Sequence, residues 1–210
     1  MRYFIYLLIF LVFIAGCKNA SNKYFTGTIN YNYTYKSDTL NADSLTAIRP
    51  SKGYFRYDTS GYQSRFTGAD TNTYYYSGIN NKCLSAEGND TVYTCDDYSF
   101  ATDSVMTFKI YNADEKILGY SCMVIEMQKK RSLVKYYYSN KLVMAPMTYN
   151  KHHAYNWDFY GSKTGGGLVL KVEHQFKDFT MTGVATNVNK ELQEFRALEV
   201  DEEKFSEYCK

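Results

Sequence analysis

Apolar or aromatic residues and small polar residues alternate without a break from Phe25 to Tyr35. Phe25, Gly27, Ile29, Tyr31, Tyr33 and Tyr35 share one side, and Thr26, Thr28, Asn30, Asn32 and Thr34 share the other. A period of two marks a strand with one buried face. Residues 53–58, 62–67 and 73–77 predict further short strands between Gly and Asp/Asn turns. Leu84 to Thr94 reads as a hairpin around Gly88-Asn89-Asp90. Val105 to Tyr111, Gly119 to Gln128 and Leu133 to Ser139 extend the meander. The stretch Asn112 to Glu115 and the run Lys129-Lys130-Arg131 supply turns, the latter as a solvated one. Tyr155 to Tyr160 and Leu168 to Phe176 flank Gly165-Gly166-Gly167 as another hairpin, and Phe179 to Asn187 and Leu192 to Val200 complete the strands. Asp201 can cap a short helix through Tyr208, and Asn41 to Ile48 is the other helical stretch. Such a chain predicts a mainly β fold: an antiparallel curved sheet, a β-sandwich or a closed barrel.

The N-terminus carries a different pattern. Arg2 precedes an uncharged apolar run, Tyr3 to Ile14, which at about 12 residues is too short for a bilayer core needing ~20. This is the layout of an export signal. The run closes on Ile14-Ala15-Gly16-Cys17, which resembles the lipobox of bacterial lipoproteins. The resemblance implies cleavage after residue 16 and acylation of Cys17, with residues 17–23 as acylated cysteine and polar tether and 24–210 as one β-rich domain. The acyl chains would bind the membrane.

Composition sharpens the β reading. The chain has 23 tyrosines and 13 phenylalanines, and tyrosine suits pleated, half-buried surfaces. With 24 basic and 22 acidic side chains, no basic patch points to nucleic acid. Without the signal, and so without Arg2, the body is near neutral.

The order of motifs carries a family resemblance. An early strand holds Phe25, Gly27, Ile29 and Tyr31. Leu118-Gly119-Tyr120-Ser121-Cys122 follows, then Tyr137-Tyr138-Ser139 with Leu142, then a late strand with Phe179, Met181 and Gly183. This looks like uncharacterised Bacteroidetes lipoprotein families, the GLPGLI and DUF-type groups, which are similar to the LolA/LppX lipoprotein-carrier fold. The resemblance spans most of the mature chain. It implies a curved antiparallel sheet, a half-barrel, with one or two short helices. It implies an envelope address, with the outer membrane facing the periplasm favoured. It brings no catalytic residues.

Four cysteines remain beside Cys17: Cys83, Cys95, Cys122 and Cys209. An even number in an exported chain predicts disulfides, with three connectivities open. Cys83 and Cys95 lie evenly about Asn89, which favours Cys83–Cys95 and leaves Cys122–Cys209 to pin the C-terminal helix. No C-x-x-C spacing supports a metal. His152, His153 and His174 read as surface or loop residues. No G-x-S-x-G elbow appears, and the glycine-rich stretch from Gly161 lacks the order of a phosphate loop. The expectation is a non-enzyme without cofactor. The aromatic clusters at Tyr74–Tyr76, Tyr136–Tyr138 and Tyr155–Tyr160 are the binding candidates, with Tyr75, Tyr137, Tyr155, Trp157 and Phe159 as the residues of choice. Their competing reading is cross-strand pairing in a Tyr-rich core. The function expected is binding of an apolar or amphipathic ligand such as a lipid; the alternative is docking of protein or glycan through a Tyr-rich face.

Overall fold

The structure, a computed structural model, describes residues 23–88, 93–190 and 202–209. The signal, Cys17 and most of the tether lie outside the described residues, as does the strand expected over 192–200.

Among the described residues, eleven strands form one antiparallel sheet. In chain order they are β1 Gly27–Lys36, β2 Lys52–Tyr57, β3 Gly61–Thr67, β4 Thr71–Ser77, β5 Lys82–Glu87, β6 Thr94–Asp97, β7 Val105–Ile117, β8 Tyr120–Lys129, β9 Leu133–Val143, β10 Gly167–Gln175 and β11 Thr180–Lys190. The spatial order is β6-β5-β4-β3-β2-β1-β11-β10-β9-β8-β7. Two meanders therefore meet at a central β1–β11 seam, and β6 and β7 are the edges.

This topology dictates curvature. Ten inter-strand gaps at ~4.8 Å make a flat sheet about 48 Å wide. Residues 98–104 are all that connect β6 to β7, and eight Cα steps reach at most about 29 Å. The sheet must curl so that its edges approach, and it stays unclosed because β6 and β7 do not pair. The fold is the curved sheet, not the sandwich or closed barrel.

The concave side is the core. Phe25, Ile29, Tyr31, Tyr33 and Tyr35 are all buried, and Thr34 and Asn32 between them are exposed, as the alternation of β1 predicts. Buried phenols find distant acceptors: Tyr31 Oη donates to the Val169 carbonyl at 2.6 Å and Tyr35 Oη to that of Pro50 at 2.7 Å. Gly183 lies directly opposite Tyr33. A Cβ there would meet the Tyr33 ring at 2.5 and 2.7 Å, so the ring lies flat across the seam only because position 183 has no side chain.

Among the described residues, three short α-helices accompany the sheet. α1, Ala42–Ile48, begins where Asn41 Oδ1 accepts from Ser44 N at 3.0 Å, as in an N-cap. α3 spans Glu202–Tyr208. The third is a correction. Tyr155–Tyr160 is not a strand: a 3-10 turn, Ala154–Asn156, leads into α2, Trp157–Thr164. The stretch alternates over six residues, but Trp157, Tyr160, Gly161 and Thr164 also stand at helical spacing, and the last three are buried. The glycine triplet is a helix stop rather than a hairpin turn. Gly165 takes a left-handed φ of 67° as C-cap, and Gly166 N donates to the Gly161 carbonyl at 3.1 Å, the usual glycine ending.

The expected turn at Asn112–Glu115 is also displaced. β7 runs on to Ile117, and Leu118 (φ 50°) and Gly119 (φ 80°) form a two-residue turn to Tyr120. Two successive positive φ values give the twist that strand pairs favour.

Candidate functional site

The inward side chains leave a cavity of about 530 Å³ in the concave face, within the ~300–1,000 Å³ typical of small-molecule sites. β1, β2 and β3 contribute Tyr33, Phe55, Tyr57 and Phe66; β10 and β11 contribute Val172 and Met181. Residues 146–164, between β9 and β10, pack against inward-facing rings. Here His152 stacks on Tyr62 and meets Tyr76 and Tyr98 at a tilt, and Trp157 stacks on Tyr136 at 5.9 Å between centroids.

Of the five residues expected to bind ligand, Tyr155 and Trp157 line the cavity. Tyr155 is 58% exposed, which puts it at the rim. The other three lie elsewhere. Tyr75 packs on Tyr93 beside Leu84 on the outer face. Tyr137 also points outward, its hydroxyl donating to Glu173 Oε1 at 3.3 Å. Phe159 turns toward Phe108 of β7, 5.2 Å away. For Tyr75 and Tyr137, both on strands, the reason is parity. The middle residue of a strand triplet faces opposite to its neighbours, and here the flanking rings Tyr74 and Tyr136 face the cavity. A face bearing two rings of three buries more apolar area than a face bearing one, so the count within each triplet carried the signal.

Three polar residues line the cavity against the sequence reading: Lys129 was expected in a solvated turn, His174 at the surface or in a loop, and Arg49 was not singled out. Lys129 ends β8 and is 4% exposed, not solvated. It follows Ile125 and Met127 on the inward parity. Its Nζ donates to the Tyr155 carbonyl at 3.1 Å. Burial holds this ammonium below its ordinary pKa, with Asp103 partly opposing the shift. His174 of β10 stacks on Phe176 at 3.9 Å. Burial, with help from the Lys129 charge, pushes it down to about 4, so the ring is neutral at pH 7. Arg49, where α1 ends, lies over the Phe179 ring at 4.3 Å, a cation–π contact. Among the described residues, no Asp or Glu lines the cavity.

Of the other histidines, His153 is at the surface, paired with Asp158 at 2.7 Å. His152 is fully buried, against expectation, with Nε2 2.8 Å from Tyr62 Oη. Burial pushes it down to about 3.

The cysteine pairing differs from the favoured one. Cys95 bonds Cys209, with Cα atoms 5.3 Å apart, and Cys83 and Cys122 are buried free thiols. A hairpin centred on Asn89 would set Cys83 opposite Cys95. The register instead sets Cys83 opposite Asp96 and Leu84 opposite Cys95. That one-residue slip sends the two thiols to opposite faces. Cys83 enters the core, where burial pushes its thiol up to about 12. Cys95 joins Leu84, Tyr75 and Phe205 in a second, outer cluster. The C-terminal helix is thus pinned to the sheet, as expected, but through β6.

No family model and no curated protein matches the chain. Among solved structures it is similar to PNGF-II, in two crystal forms. The TM-scores are 0.43 and 0.42 and the identities 14% and 15%, with 83% of this chain covered. The chain spans 30% of the length of those proteins. It is also similar to LprF from Mycobacterium bovis, with a TM-score of 0.32 and 7% identity, covering 80% of this chain and 88% of that one.

Proposed function

We propose that this chain is a non-catalytic, lipid-anchored envelope protein whose concave cavity holds an apolar or amphipathic ligand. The cavity itself carries the reading: about 530 Å³, walled mostly by aromatic and aliphatic side chains. Burying apolar ligand surface against such walls contributes about 25 cal/mol per Å². The anchor at Cys17 belongs to the same reading, with the outer membrane as its place, and rests on the lipobox-like tetrapeptide.

Trp157 is the sole tryptophan and lines the cavity, so it reports occupancy directly. The expected result is a saturable change in its fluorescence on titration with a medium-chain amphiphile, together with lipid mass retained in native mass spectra. A flat titration and no retained mass would remove the reading. Docking of protein or glycan through outward tyrosines is less well supported. Tyr111 and Tyr137 are interleaved there with the ion pairs Lys109–Glu126 and Lys171–Glu173, a well-solvated face.

A further inference from the structure

The polar groups of the cavity are gathered at one end of the sheet. Lys129 ends β8, His174 stands near the end of β10, and Phe176 and Phe179 bracket the β10–β11 turn. Ring contacts run along this rim: Arg49 over Phe179 at 4.3 Å, Phe179 to Phe176 at 4.7 Å, and Phe176 to His174 at 3.9 Å. The last ring senses the charge of Lys129. Two cations and a neutral imidazole therefore stand at one mouth of an otherwise apolar trough.

Their hydrogen-bonding capacity is largely unspent. Arg49 Nε and His174 Nε2 are buried and bond nothing among the described residues. Lys129 Nζ has three donors and gives one, to the Tyr155 carbonyl. The nearest acid does not answer them. Asp103 accepts from Arg131 N and Ser132 Oγ, both at 3.0 Å, so it braces the β8–β9 turn. No carboxylate of the described residues lies within ion-pair distance of Lys129 or Arg49. Orphaned donors at a buried site are costly, and a buried cation needs a counter-charge.

We infer that the Arg49–His174–Lys129 rim is an anion site, and that the ligand is an amphiphile with one anionic head, a carboxylate or phosphate, held there while its apolar body lies among the tyrosine rings. This rests on the cavity being the ligand site. Head and body have separate jobs. The head supplies acceptors for the unspent donors of Lys129 and Arg49, and for His174 Nε2 in the tautomer that carries its proton there, and the body displaces water from the aromatic wall. Cationic amphiphiles are excluded, because their head would meet two like charges.

The test uses the full chain in lipid nanodiscs, with Trp157 fluorescence as readout. Decanoate, decyl phosphate, decanol, decyltrimethylammonium and inorganic phosphate are the probes. Each is titrated into the wild type, Lys129→Met and Arg49→Gln, so partition into lipid cancels in the wild-type-to-variant ratio. Both variants are first checked by circular dichroism, and Arg49→Gln, at a half-buried site, serves if Lys129→Met does not fold. Decanoate and decyl phosphate should lose about tenfold or more in either variant, the scale of one charge-assisted hydrogen bond. Decanol should change by less than about twofold on the same scale. If decanol binds and the anions show no variant-dependent loss, the anion site is overturned while the cavity reading stands. Binding of decyltrimethylammonium with equal strength, or of inorganic phosphate as tightly as decyl phosphate, also overturns it. If no amphiphile binds, both readings fall.

Discussion

His152 shows what a single buried titratable ring does to this protein. Its folded pKa of about 3 lies well below the 6.5 of a free histidine. Between these values the unfolded chain binds a proton that the folded one refuses, so stability rises with pH and is lost as pH falls below 6.5. His174, pushed to about 4, acts in the same direction but more weakly, since it is only half-buried. Urea melts should show a loss of up to ~1.4 kcal/mol per pH unit from His152 between pH 6.5 and 5. His152→Gln, which cannot protonate, should remove most of that slope. A wild type equally stable at pH 7 and pH 5 would contradict this. Gly183 makes a steric prediction. Gly183→Val drives a branched side chain into the Tyr33 ring and should cost about 1–3 kcal/mol by overpacking. The same change at Gly119, where a Cβ meets nothing within 4 Å, is strained only by its positive φ.

At the level of elements, the turns and the disulfide are the informative parts. Leu118 sits at φ 50° in a two-residue turn before Gly119. Left-handed backbone costs a β-carbon residue about 1–2 kcal/mol, and Asn tolerates it better. Leu118→Asn creates the Asn-Gly pair that such turns favour and should raise the urea midpoint with an unchanged slope. The Cys95–Cys209 bond closes a loop spanning 114 residues, for which the chain-entropy model gives about 4–5 kcal/mol. Cys209→Ser should lower stability by a comparable amount. Peptide mapping of denatured, unreduced protein should find alkylation at Cys83 and Cys122 alone among the four. Alkylated Cys95 would refute the pairing. β1 was legible because its alternation runs eleven residues without interruption. α2 was not, because six residues of alternating aromatics satisfy a strand pattern and a helical one alike. What decides is the packing of Tyr160, buried with its hydroxyl on the Gly167 carbonyl.

For the whole molecule, the curl of the sheet turns a row of tyrosines into a cavity. A seven-residue link between edge strands forces that curl, so lengthening it with glycines should loosen the cavity before it unfolds the sheet. Trp157 quenching by acrylamide should then increase while far-ultraviolet dichroism stays constant. The proposed anchor at Cys17 is tested at the same scale. Cys17→Ala should shift the chain from membrane to soluble fractions and abolish incorporation of labelled palmitate, with ligand binding by the folded domain unchanged.

The sequence by itself determined most of the described strands, the buried side of β1 and the helices α1 and α3. These depend on local periodicity, capping and charge, which are written within a few residues. The tertiary structure alone decided the strand register, and with it every question of face. It sent Cys95 outward to Cys209 and Cys83 inward, chose Tyr74 and Tyr136 over Tyr75 and Tyr137, and brought Arg49, Lys129 and His174 to one rim. A shift of one residue inverts each of those outcomes at almost no local cost. Only the summed burial of one face against the other fixes it.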